Sequence, residues 1–164
     1  MRKDLPSRKP NRLKGHGYSS AGYYFITICV KDGHEVLGNI DVGAAICRPP
    51  IKLSDIGLIA EKSINNISKI YPHILIDKYV IMPNHVHMIL HVTAIGGGRQ
   101  VAAPTVVQTV VGNMKRYVSM QIGFSPWQKS FHDHIIRNET EYRKIWQYID
   151  QNPQRWADDC YYTK

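Results

Sequence analysis

The stretch ILIDKYVIMPNHVHMILHV, residues 74 to 92, constrains the fold more than any other part of the chain. Two strand-length apolar runs, rich in β-branched residues, are separated by Pro83 and Asn84, a pair that turns or breaks a strand. Such a chain has to build a sheet. The second run alternates, so His85, His87, Ile89 and His91 share one face while Val86, Met88 and Leu90 take the other. Upstream, YYFITICV (23–30) has strand composition. Residues 31–53, with Gly33, Gly38, Gly43 and Pro49-Pro50, suggest a short hairpin or loop excursion.

Helical signals fall between the strands. Ser54 can cap a helix whose apolar positions Ile56, Ile59, Ala60, Ile64, Ile67 and Ile70 have helical spacing, ending near Pro72. A second helix is expected from about Thr105 to Ile122, closed by Gly123. A fourth strand is expected over 127–136. Asn138 and Glu141 then have capping-box spacing for a last helix, stopped by Pro153 after Asn152. The order β, α, β, β, α, β, α is that of an α+β ferredoxin-like sandwich: an antiparallel sheet with both helices on one face, plus a C-terminal helix.

At 164 residues the chain suits one domain, here 17–164, preceded by a basic arm over 1–16. No run approaches the roughly 20 apolar residues of a membrane span, and the basic N-terminus has no apolar segment behind it. Three scattered cysteines, Cys29, Cys47 and Cys160, suggest reduced thiols and a cytoplasmic protein. Twenty-one Lys and Arg against 13 Asp and Glu give a net charge of +8. The arm contributes Arg2, Lys3, Arg8, Lys9, Arg12 and Lys14 against one acidic residue. It reads either as a solvated tail or as a phosphate-binding arm.

Two imidazoles at positions i and i+2 of a strand lie roughly 6.5 to 7 Å apart along it and can lean toward one cation. That spacing favours a metal site at His85 and His87. A third ligand could come from a helix packed on that face. Tyr117 and Gln121 stand one turn apart at the border of the apolar stripe of the 105–122 helix. By periodicity alone, Tyr117 reads as an ordinary core-edge residue.

The segments MPNHVH, NMKRYVSMQIG and WQKSFHDHIIRNETEYRKIWQYIDQNPQRW together resemble the REP-associated tyrosine transposases. These are relatives of the IS200/IS605 single-tyrosine transposases in the HUH endonuclease superfamily. The resemblance spans about Lys14 to Trp156. It implies that His85, His87 and Gln121 hold a divalent metal, Mg²⁺ or Mn²⁺, and that Tyr117 is the nucleophile. The implied activity is cleavage and rejoining of hairpin-associated single-stranded DNA through a 5′-phosphotyrosine link. It also implies that the arm, with Lys115 and Arg116, contacts DNA phosphates, which positions a strand without reading its sequence. A monomer is slightly favoured over a helix-swapped dimer.

Other readings stay open. His132 and His134 form a second pair at strand spacing, with Asp133 between them pointing to the opposite face. Tyr142 and Tyr148 on the last helix, and Tyr161 and Tyr162 in the tail, are alternative nucleophiles whose surroundings read as amphipathic packing. Trp127, Trp146 and Trp156 read as packing anchors. A module that grips hairpin DNA or RNA without cutting it would share the fold and the charge.

Overall fold

A computed structural model describes residues 21–41, 50–93 and 106–161. In chain order the elements are β1 (Gly22–Cys29), β2 (Gly38–Ile40), β3 (Ile51–Leu53), α1 (Asp55–Ile70), β4 (Ile74–Ile81), β5 (His85–Val92), α2 (Val106–Ile122), β6 (His132–Ile136) and α3 (Glu139–Gln151), with a 3₁₀ segment at Asn152–Asp158. Four strands form one antiparallel sheet in the order β4-β5-β1-β6, and β2 pairs with β3 in a separate two-stranded sheet. This is the expected ferredoxin-like arrangement with an added C-terminal helix. Among the described residues no helix is long and apolar enough to cross a membrane.

Local chemistry sets the boundaries. The Ser54 hydroxyl accepts the Gly57 N–H at 3.1 Å and donates to the Val36 carbonyl at 2.6 Å, so it starts α1 and ties it to the segment before β2. Gly57 is required there, because a Cβ would lie 2.0 Å from the Leu37 carbonyl oxygen. At the end of α2, Gly123 takes φ +82°, the left-handed conformation that glycine adopts without strain. Asn138 Oδ1 accepts the Glu141 N–H at 2.8 Å and starts α3.

The sheet's two faces differ in what covers them. Helices α1 and α2 pack on the face made by Tyr24, Ile26, Ile28, Val86, Met88, Leu90 and Val92, and this side holds most of the buried apolar surface. Each fully buried aliphatic side chain there contributes about 1.5–3 kcal/mol. Helix α3 covers the other face with a small cluster of Ile89, Ile136 and Ile149.

The expected strand over 127–136 is shorter than its composition suggested. Trp127 makes an isolated bridge to Val30, and the ladder with β1 begins only at His132. Between them, Lys115 Nζ reaches the carbonyls of Gln128 (2.6 Å), Lys129 (3.3 Å) and Ser130 (3.4 Å). Those carbonyls converge on one ammonium, which a strand's alternating carbonyls cannot do.

Candidate active site

His85 and His87 lie on the α3 side of β5, at 0% and 1% relative exposure, with ring centroids 4.4 Å apart. The residue that turns the chain into β5 also orients the first histidine. Asn84 Oδ1 pairs with His85 Nδ1 at 2.9 Å, while its amide donates to the carbonyls of Gly33 (3.1 Å) and Tyr161 (2.6 Å). Since the carbonyl oxygen can only accept, His85 carries its proton on Nδ1 and turns a bare Nε2 into the site. Thr27 stands opposite His87 in the β1–β5 register, and its hydroxyl meets His87 Nδ1 at 2.8 Å. His87 Nε2 faces the hydroxyl of Tyr148, on α3, at 3.2 Å.

The C-terminal segment closes the arrangement. Asn152, buried at the end of α3, donates from its amide to Asp159 at 2.8 Å, and Asp159 also accepts the Tyr161 N–H at 2.8 Å. Trp156 and Tyr161 pack on His85, at centroid distances of 5.9 and 4.5 Å. Two buried atoms here have no hydrogen-bond partner, His85 Nε2 and Asn152 Oδ1. A buried orphan acceptor is expensive, so two converging on one place ask for a ligand.

Burial makes this site a set of neutral donors. It pushes His85 down to about 4, a shift that the Asp159 charge and then Asn152 partly offset. His87 also lies well below the usual imidazole range, through burial first and then its neighbour His85. Both rings are therefore uncharged near neutral pH, the form that binds metal. Tyr148 is pushed up to about 12, by burial first and then by Asp159 and Cys160.

Two imidazole nitrogens and an amide oxygen make a donor set for a divalent cation of borderline or hard character. Among the described residues no three His, Cys, Asp or Glu side chains come together. The third donor here is an amide, and its orphaned oxygen fits the role.

The residues expected to complete the site divide. The sheet brings His85 and His87 together. Helix α2 does not reach them, because it lies beside α1 on the opposite face, where Tyr117 packs half-buried against the apolar core and Gln121 is exposed. The reason is topological: β-α-β crossovers share one hand, so α1 and α2 fall on the same side of the sheet. Lys115 is engaged by the loop carbonyls described above, whereas Arg116 is exposed. Arg2, Lys3, Arg8, Lys9, Arg12 and Lys14 lie outside the described residues. His132 and His134 share the His85–His87 face, since Thr27 pairs with both His87 and His132. His134 Nε2 is bound to Glu141 at 2.6 Å.

Sequence reasoning weighed Tyr148 only as an alternative to Tyr117, and it assigned no site role to Asn152, Thr27 or Asn84. A signal for Tyr148 with Asn152 was present, since Asn152 follows Tyr148 by four residues, the same spacing as Gln121 after Tyr117.

No family model matches the chain. An uncharacterized protein of Haemophilus influenzae is 31% identical over 174 residues, covering 95% of this chain and 93% of that protein. Among solved structures, a REP-associated tyrosine transposase bound to a REP hairpin superposes with a TM-score of 0.60 at 20% identity, over 84% of this chain and 69% of that one. A candidate transposase from Deinococcus radiodurans gives 0.50 at 20% identity, over 85% and 97%. At that identity the two structures share the fold. The chain therefore belongs to one family with the Haemophilus influenzae protein, on a fold common to these transposases.

Proposed function

We propose that the protein is a metal-dependent nuclease of single-stranded, hairpin-associated DNA that cleaves and rejoins strands through Tyr148. The observation that carries this reading is the meeting of the Tyr148 hydroxyl and His87 Nε2 at 3.2 Å, beside the orphaned His85 Nε2 and Asn152 Oδ1. His85, His87 and Asn152 would hold Mg²⁺ or Mn²⁺, with Mn²⁺ the better match for nitrogen. Such an ion supplies charge neutralisation and polarisation at a phosphate.

The Tyr148 oxygen attacks phosphorus, an O–P bond to tyrosine forms and the bond to the 3′ oxygen breaks. Phenol releases its proton as it attacks, and the departing 3′ oxygen takes one up. The stored phosphotyrosine bond lets a later 3′-OH reverse the step without ATP. Burial pushes the Tyr148 phenol up to about 12, so it carries its proton at neutral pH and has to lose it in the attack. His87 Nε2 cannot bind a cation and accept the Tyr148 proton together, so the phenol contact belongs to the metal-free arrangement. Net charge +8 supports a nucleic-acid partner, and the hairpin held by the REP-associated neighbour supports its class.

The test is a denaturing gel of labelled single-stranded hairpin oligonucleotides from palindromic repeats of the source genome, with Mn²⁺. Wild type and Tyr117→Phe should each give a protein-linked band, and Tyr148→Phe none. A band lost with Tyr117→Phe and retained with Tyr148→Phe would return the nucleophile to α2. The packing of Tyr161 on His85 favours a second reading, a closed site on a protein that binds hairpins without cutting them. Retention on a native gel with no covalent band on any repeat, for all three proteins, would select it.

A further inference from the structure

The α3 face carries a second feature that the proposed chemistry does not use. A pocket of about 370 Å³ opens between the start of β1, the end of β6 and the start of α3, lined by Tyr23, Ile136, Arg137, Asn138, Glu139 and Tyr142. Its aromatic walls are fixed. Tyr23 stacks on His91 at 4.2 Å and 8°, and Tyr142 stands against Tyr23 nearly edge-on, at 5.3 Å and 67°. The Tyr142 hydroxyl is anchored by Asp77, so the ring is held before any ligand arrives. Ile136, 8% exposed, supplies an apolar surface, and the exposed Arg137 a cation at the rim.

We infer that this pocket takes one unpaired base of the single strand that Tyr148 cleaves, with Arg137 on its flanking phosphate or acceptor edge. The inference rests on the function proposed above. An aromatic wall, an apolar contact and a guanidinium are the elements with which single-stranded nucleic acid is gripped, each base stacking on a ring while the backbone meets a cation. At the rim the Asn138 amide is a donor for a base edge, its oxygen being taken by the Glu141 N–H and Glu139 Oε1 by Arg143 at 2.8 Å. Position supports the same assignment. Tyr142 precedes Tyr148 by six residues on α3, about 9 Å along the helix. His91 follows His87 by four residues on β5, about 13 Å. A strand laid along α3 would bring the pocket within about four nucleotides of the reacting phosphate, since a stacked strand advances about 3.4 Å per nucleotide.

The experiment is equilibrium binding of the same oligonucleotides with chelator present, so that nothing is cut, using a series with one abasic residue at each position. Wild type should lose about ten-fold in affinity at one position near the cleaved phosphate, as removal of one stacked base predicts. Tyr148→Phe should give the same profile. Arg137→Ala, a change to an exposed side chain, should bind the intact strand several-fold more weakly, and Tyr23→Leu should make the sensitive position indifferent to base loss. A flat profile in wild type, or a profile unchanged in Tyr23→Leu and Arg137→Ala, overturns the inference even if the covalent band forms. A sensitive position that depends on Tyr23, with no covalent band under any condition, leaves the pocket standing and removes the nuclease.

Discussion

Thr27 shows how much of the candidate site depends on one hydroxyl. With His87 Nδ1 bound at 2.8 Å, the ring is held with Nε2 toward the site. Thr27→Val keeps the volume but leaves a buried ring nitrogen unpaired, a loss of about 1–3 kcal/mol of stability. Partners that orient a ligating imidazole typically change metal affinity 10–100-fold. Calorimetric titration with Mn²⁺ should therefore show Thr27→Val weaker by about that factor, and an unchanged affinity would mean that strand β5 alone orients the ring. Nothing local in the sequence marks Thr27, because its importance comes from cross-strand register, which no period of β1 encodes. The histidine pair was legible for the opposite reason, since alternation within one strand sets its geometry. Tyr148 lay between these cases. Its spacing to Asn152 was visible, but choosing it over Tyr117 required knowing which face each helix covers.

At the scale of elements, α3 is the piece on which the proposed chemistry depends, since it carries Tyr148 and ends at Asn152. Its start rests on Asn138 and on Glu141, whose carboxylate accepts the Arg137 N–H at 2.8 Å and pairs with His134. These contacts, the backbone one first, hold Glu141 below the usual carboxylate range. A carboxyl group with a lowered folded-state value stabilises above its unfolded value and loses that stabilisation as pH falls through the folded one. The protection of amides 142–144, taken relative to their intrinsic exchange at each pH, should therefore fall in acid, below about pH 4.5, ahead of that in α1. Glu141→Gln should exchange faster already at neutral pH and lose the acid step. If the two proteins show the same acid profile, the carboxylate does not secure the helix start. Asn138→Ala should remove about 1 kcal/mol through the cap. Element boundaries were legible wherever a side chain caps or a glycine closes. The strand expected at 127 was not, because an ammonium from α2 takes the carbonyls of 128–130, a tertiary contact that no local pattern records.

On the scale of the molecule, the two sides of the sheet are built for different ends. Between the sheet and α1 and α2 lies a broad apolar core, while among the described residues the α3 side buries a much smaller apolar set, Ile89, Ile136 and Ile149 with Trp156 beyond them, around polar side chains. The alternation of β5 decides this division, since Val86, Met88 and Leu90 claim the helices that follow the crossover rule and leave the histidines to whatever comes last. The sequence order β, α, β, β, α, β, α thus already placed α2 away from the histidines, since the crossover rule puts α1 and α2 on the face opposite to theirs. A side with so little apolar burial should open first. Native-state hydrogen exchange should show α3 amides opening at lower free energy than those of α1 and α2. A ligand that binds only the closed form stabilises it by RT ln(1 + [L]/Kd), about 2.7 kcal/mol at a hundred-fold excess over Kd. Mn²⁺ should slow exchange in α3 by up to about that amount, and not in Asn152→Ala. Equal slowing in both proteins would place the cation elsewhere, because only a ligand on α3's own end can hold that helix shut without first stabilising the larger core.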